Sequence, residues 1–162
     1  MLGIRVCIPF ENTIQIRTRV DWIRSGTHKM TSALILQSAA NQPVEVTRES
    51  IRRRLSNAVI DDVSQLDSRR NGVCIRIADL QPLLPAIANA RRMVMRSSDG
   101  FTAELPMEVA SQGILIFERD GGPLPESAGG PFRFFTINSA ACGTAIADNC
   151  ANVKSIISIE VH

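Results

Sequence analysis

The chain has no tyrosine, and Trp22 is its only tryptophan among 162 residues. A surface that stacks the bases of single-stranded nucleic acid needs several aromatic rings, so that reading loses its usual support. Histidine is nearly as scarce, at His28 and His162. Cys7, Cys74, Cys142 and Cys150 include no Cys-x-x-Cys pair, which together with two histidines argues against a dedicated zinc site. Charge of one sign is also lacking. The net value is +2, too small to argue for an acidic or nucleic-acid partner. No apolar run approaches the roughly 20 residues of a membrane span. The stretch from Met1 to Phe10 alternates and carries no signal-peptide core. A cytoplasmic protein without a membrane partner is the expectation. Missing too are a Gly-x-Ser-x-Gly elbow, a P-loop and a dinucleotide fingerprint.

What is present suits one domain over residues 1–162, with enough apolar residues for a sizeable core. Leu2, Ile4, Val6, Ile8 and Phe10 repeat with period two, and Ile14, Ile16 and Val20 continue it, as in a half-buried hairpin. Arg5, Arg17 and Arg19 take the other face, read as a solvated strand surface. Ala33–Leu36 predicts a strand and Asn41-Gln42-Pro43 a turn. Thr47 predicts a helix cap ahead of buried Ile51, Leu55 and Val59, with Glu49 in the first turn. Arg52, Arg53 and Arg54 fan around that helix rather than forming a stripe. The segment 61–71 predicts a loop, with Asp61 and Asp62 as loop or cap residues. Leu80, Leu83, Leu84 and Ile87 have helical spacing, interrupted by Pro82 and Pro85.

Residues 92–97 and 102–105 predict a hairpin around Asp99-Gly100. A short helical link follows over 106–112. Ile114 to Glu118 predicts a strand buried on both faces. Residues 132–137 predict another strand, and 138–152 a long loop. In the last strand Val153, Ile157, Ile159 and Val161 are expected on one face. Cys7 and Cys74 read as small apolar fillers. Cys142 and Cys150 flank a short loop. They are thiols in a reducing compartment and can pair in an oxidising one.

Two Gly-Pro turns stand out: Asp120-Gly121-Gly122-Pro123-Leu124-Pro125 and Gly129-Gly130-Pro131-Phe132-Arg133. They restrict the backbone tightly, and Arg133 leaves the second from a rigid frame. Lys154 opens the closing strand. If those strands are neighbours, Arg133 and Lys154 can converge on a phosphate, the first as a planar fork and the second as a point charge. Gly129 and Gly130 would let backbone N–H groups approach the same anion. Surface ion pairs would use the same residues, and spacing alone leaves both readings open.

The half from Gly72-Val73-Cys74-Ile75 onward resembles the sulfite-oxidase-type molybdopterin-binding domain. The shared pieces are Ser98-Asp99-Gly100-Phe101, Leu105-Pro106, Ile114-Leu115-Ile116-Phe117, both Gly-Pro turns, and Asn152-Val153-Lys154-Ser155-Ile156, in the family's order. The resemblance covers residues 72–160. It implies an α+β fold of mixed, mainly antiparallel β-sheets with a few short helices. It implies a molybdenum-pterin cofactor whose phosphate lies near Arg133 and Lys154, and oxygen-atom transfer or related two-electron chemistry. The chain departs from the family at the thiolate that holds the metal, because residues 57–71 contain no cysteine. Cys74 stands where the family has proline, and Phe101 where it has tyrosine. The Lys-bearing turn is replaced by Asp148-Asn149-Cys150-Ala151.

The expected function is a small stand-alone protein of this fold, without molybdenum redox chemistry and with no metal ligand. Its ligand is a pterin phosphate or another anion. An active molybdopterin-dependent oxidoreductase is the alternative. A further one is a basic interaction module using Arg52 to Arg54 and the hairpin arginines to bind nucleic acid, against which the small net charge counts; a protein partner or a second copy of the chain is the remaining partner reading.

Overall fold

The computed structural model describes residues 33–137 and 152–162. The expected first hairpin with its arginines, Cys7, Cys142, Cys150, His28 and most of the 138–152 loop lie outside the described residues. Two hairpins begin and end the first sheet. β1 (Ala33–Ser38) turns at Ala39-Ala40 into β2 (Asn41–Thr47), and β4 (Arg92–Ser97) turns into β5 (Thr102–Pro106). β10 (Ile156–Val161) joins them, parallel to β1 and antiparallel to β4, giving the order β2-β1-β10-β4-β5. The predicted turn at Asn41-Gln42-Pro43 is instead the start of β2. Pro43 is tolerated there because it falls at an irregularity in the β1–β2 register, between the Leu36–Val44 and Ser38–Asn41 pairs.

A second sheet holds β3 (Val73–Arg76), β6 (Gly113–Arg119), β8 (Arg133–Thr136) and β9 (Asn152–Val153) in that order. The two-residue β7 (Gly122–Pro123) pairs with β6. All pairings here are antiparallel. The mixed, mainly antiparallel α+β class expected from the sequence is therefore the class observed.

α1 (Arg48–Arg54) starts where Thr47 predicts. Thr47 Oγ1 accepts from the Ser50 amide at 3.2 Å, and Ser50 Oγ accepts from the Thr47 amide at 2.8 Å. This reciprocal cap satisfies two amides that the first turn leaves unpaired. The helix ends at Arg54, so Val59 lies beyond it and only packs partly against the core. α2 (Met107–Ala110) is one turn long. Leu80, Leu83, Leu84 and Ile87 are all buried as predicted, but from the short 3₁₀ turns Ile77–Leu80 and Pro85–Asn89 and the link between them. Pro85 begins the second turn, where its missing N–H is no loss.

The second sheet separates two apolar clusters. Leu115 and Phe117 of β6, Ile75 of β3 and Phe134 of β8 join Leu36, Met95 and Ile159 of the first sheet in the main core. Their alternating neighbours Ile114, Ile116, Cys74 and Phe135 form a smaller cluster with Val63 and Leu124 on the opposite face. β6 is thus buried on both faces, the arrangement expected of a continuous apolar run.

The expected closing strand is divided. β9 belongs to the second sheet and β10 to the first, and Ser155 between them has φ +51. The register shifts between Ile156 and Ser158 against β4. Ile156 is therefore buried and Ile157 exposed, which reverses the predicted parity at that point while Ile159 and Val161 remain inside. An irregularity that adds one residue flips every side chain before it.

Candidate functional site

β3, β6 and β8 are neighbours, and their antiparallel pairing brings the approach to β3, the end of β6 and the start of β8 to one end of the sheet. Val73 pairs with Glu118, and Arg133 with Ile116. Arg70 precedes β3, Arg119 ends β6 and Arg133 opens β8. Together with Arg69 they line a pocket of about 270 Å3 over the smaller apolar cluster, floored by Ile116 and Phe135. Among the described residues no carboxylate lines it.

Phe135 organises two of these cations. The Arg70 guanidinium carbon lies 3.7 Å from the ring centroid and that of Arg133 lies 4.4 Å from it. Both are within the range at which the ring's negative face attracts a cation. Arg133 is fixed further by Nε donating to Asn152 Oδ1 at 3.0 Å and Nη1 donating to the Ala128 carbonyl at 2.8 Å. Its pKa is lowered, first by burial and then by the like charge of Arg70.

The counter-charges sit at the margin. Arg69 binds Asp67 through Nε at 3.0 Å and Nη2 at 3.2 Å, and this hydrogen bonding holds the Asp67 carboxyl below the usual carboxylate range. The same carboxylate is only 3.5 Å from Arg70 Nε, beyond good hydrogen-bond length. Arg119 Nε is 3.6 Å from the well-exposed Asp120. Among the described residues three buried side-chain polar atoms lack a hydrogen-bond partner. Two of them are Arg70 Nε and Arg119 Nε. Buried donors without acceptors are uncommon, and each calls for an explanation.

Of the residues singled out from sequence, Arg133 faces this pocket. Lys154 lines a different depression of about 230 Å3, with Asp99, Phe101 and Asn152. The two stems nonetheless both lie against Gly129. A Cβ built on Gly129 would lie 2.9 Å from both Arg133 Cδ and Lys154 Cγ. Gly129 also has φ +90, so glycine is what lets the two chains flank the turn. The amides of Gly129 and Gly130 donate to the carbonyls of Glu126 and Pro125, at 2.8 and 2.9 Å. Both hydrogens are engaged inside the turn rather than directed at a ligand.

Arg69, Arg70 and Arg119 escape a reading by spacing. They come from a loop and a strand end, and only the order β3-β6-β8 unites them with Arg133. Arg52 does not join them. It donates to Glu118 at 3.1 and 2.6 Å and to Asp61 at 2.7 Å, which raises its pKa. Asp62 caps the 3₁₀ turn Val63–Gln65, as a loop residue should.

Cys74 is fully enclosed in the smaller cluster, and burial pushes its thiol up to about 12. It is a core filler, as read from sequence. In the native protein Cys74 is expected to escape iodoacetamide at pH 8, as read by peptide mapping, and to be alkylated only in denaturant. Modification at native-state rates equal to those in denaturant would contradict the packing described. Among the described residues no three His, Cys, Asp or Glu side chains come together to hold a metal ion. No helix among them is long and apolar enough to cross a membrane. No protein-family model matches the chain, and no curated protein matches it either.

Proposed function

We propose that this protein binds an oxyanion, such as the phosphate end of a small molecule, in the pocket of Arg70, Arg119 and Arg133. The observation that carries the reading is the gathering of these three guanidinium groups in one pocket that no carboxylate lines among the described residues, with Arg133 partly desolvated. Like charges held together cost stability. An anion supplies acceptors and charge at once, and arginine presents the planar fork that suits it.

The sulfite-oxidase-type resemblance bears on the ligand. The arginine pocket fits a phosphate, including that of a pterin. Its volume of about 270 Å3 falls below the ~300–1,000 Å3 that encloses drug-sized ligands, so only a ligand's phosphate end is accommodated. The residues do not fit the metal half of such a cofactor. Cys74 is walled in by apolar side chains and its thiol resists ionisation at neutral pH. A metal-binding thiolate must be both ionised and accessible. The reading is therefore an anion-binding domain, with no step routed through a metal.

Isothermal titration with inorganic phosphate tests it. Arg133→Ala is expected to weaken binding about tenfold or more, from the loss of charge-assisted hydrogen bonds worth ~1.5–3 kcal/mol. Lys154→Ala, in the neighbouring depression, is expected to change affinity less. Circular dichroism separates binding from folding. Equal affinity in the wild type and a folded Arg133→Ala variant would remove the pocket from consideration.

A further inference from the structure

Resting on that reading, we infer that the pocket selects dianions, and so takes a phosphomonoester in preference to a phosphodiester, a sulfate monoester or a carboxylate. The ground is local charge. Among the described residues four guanidinium groups line the pocket and no carboxylate does. The acids at its margin are Asp67, which serves Arg69 by hydrogen bonds and reaches Arg70 only at 3.5 Å, and Asp120, at 3.6 Å from Arg119. Two carboxylates against four guanidinium groups leave two positive charges without a counterpart among the described residues.

Geometry points the same way. The three cations nearest the floor come from three separate elements, at the approach to β3, the end of β6 and the start of β8. Three guanidinium groups from three elements around one pocket offer more donors than a two-oxygen carboxylate can use, which suits a compact tetrahedral group with several oxygens. Arg70 and Arg133 are further held against the Phe135 ring. Their positions are set before a ligand arrives, so little reorganisation opposes binding. The cavity has room for roughly nine waters at ~30 Å3 each, enough for a phosphate and a few attached atoms. A diester carries one negative charge, so nucleic-acid and phospholipid backbones satisfy half of the imbalance and bring substituents on two oxygens.

Four small probes separate charge from shape: methyl phosphate, inorganic sulfate, methyl sulfate and dimethyl phosphate, titrated into the whole chain at pH 8. A phosphomonoester has its second pKa near ~6 and is a dianion there. Methyl phosphate and sulfate are expected to bind at least about tenfold more tightly than the two monoanions, since the second charge is felt at short range in a partly desolvated site. Equal affinities for all four would overturn the selection for dianions while leaving an oxyanion site in place. Failure of all four to bind would overturn the oxyanion site itself, and the two failures are distinguishable.

Discussion

Gly130→Ala is expected to be among the most destabilising single substitutions in this protein, by more than ~4 kcal/mol. The Cβ it introduces would collide with the Leu124 carbonyl oxygen and lie 2.6 Å from the Leu124 carbonyl carbon. That neighbour is backbone, which cannot rotate away as a side chain can. The Gly130 amide also donates to the Pro125 carbonyl at 2.9 Å, so the two arms of the turn cannot separate without losing that bond. Gly100 gives the control. It has φ +90 but open space around a built Cβ, so Gly100→Ala should cost only backbone strain of about 1–2 kcal/mol. Thermal unfolding of both variants, with and without phosphate, decides the matter. A Gly130→Ala protein as stable as Gly100→Ala would mean that the two turns do not lie against each other as described.

Phe134→Ala should cost about 3–5 kcal/mol, a large part of the ~5–15 kcal/mol that holds a typical domain together. Phe134 is fully buried in the main core and its ring covers Gly113. Glycine there has no side chain to move into the vacated space, and the direct cross-strand partner of Phe134 is the already buried Leu115. The melting temperature is expected to fall by roughly 10 °C. Because β8 places Phe134 towards one cluster and Phe135 towards the other, the folded fraction should retain its anion site. A small loss of stability would indicate that the core can collapse into the vacated volume.

Most of the fold is legible in the sequence where periodicity is the signal. The β4–β5 hairpin, the Thr47 cap and the doubly buried β6 all follow from local pattern. Legibility fails where one residue changes the parity. Nothing in Ile156-Ile157-Ser158 announces the register shift, and four leucine and isoleucine positions at helical spacing can equally be buried by successive 3₁₀ turns once prolines interrupt them. Val59 shows a related limit, because a helix's apolar repeat can outlast the helix. The site divides in the same way. Arg133 can be picked out because a rigid turn delivers it. Arg70 and Arg119 gain significance only through strand order, a long-range property of the pairing. Lys154, expected to open the closing strand, lies instead between β9 and β10, ahead of the left-handed Ser155, and lines the neighbouring depression.

β10 sits between β1 and β4 in the first sheet. A ribosome therefore exposes both flanking hairpins well before it makes the strand that joins them. Until residues 156–161 emerge, each hairpin leaves one edge unpaired and its apolar face uncovered, the kind of surface that recruits chaperones or sticks to another nascent chain. Completion of the first sheet thus waits for residues 156–161, and a ribosome stalled short of Ile156 would hold two hairpins without the strand that joins them in that sheet.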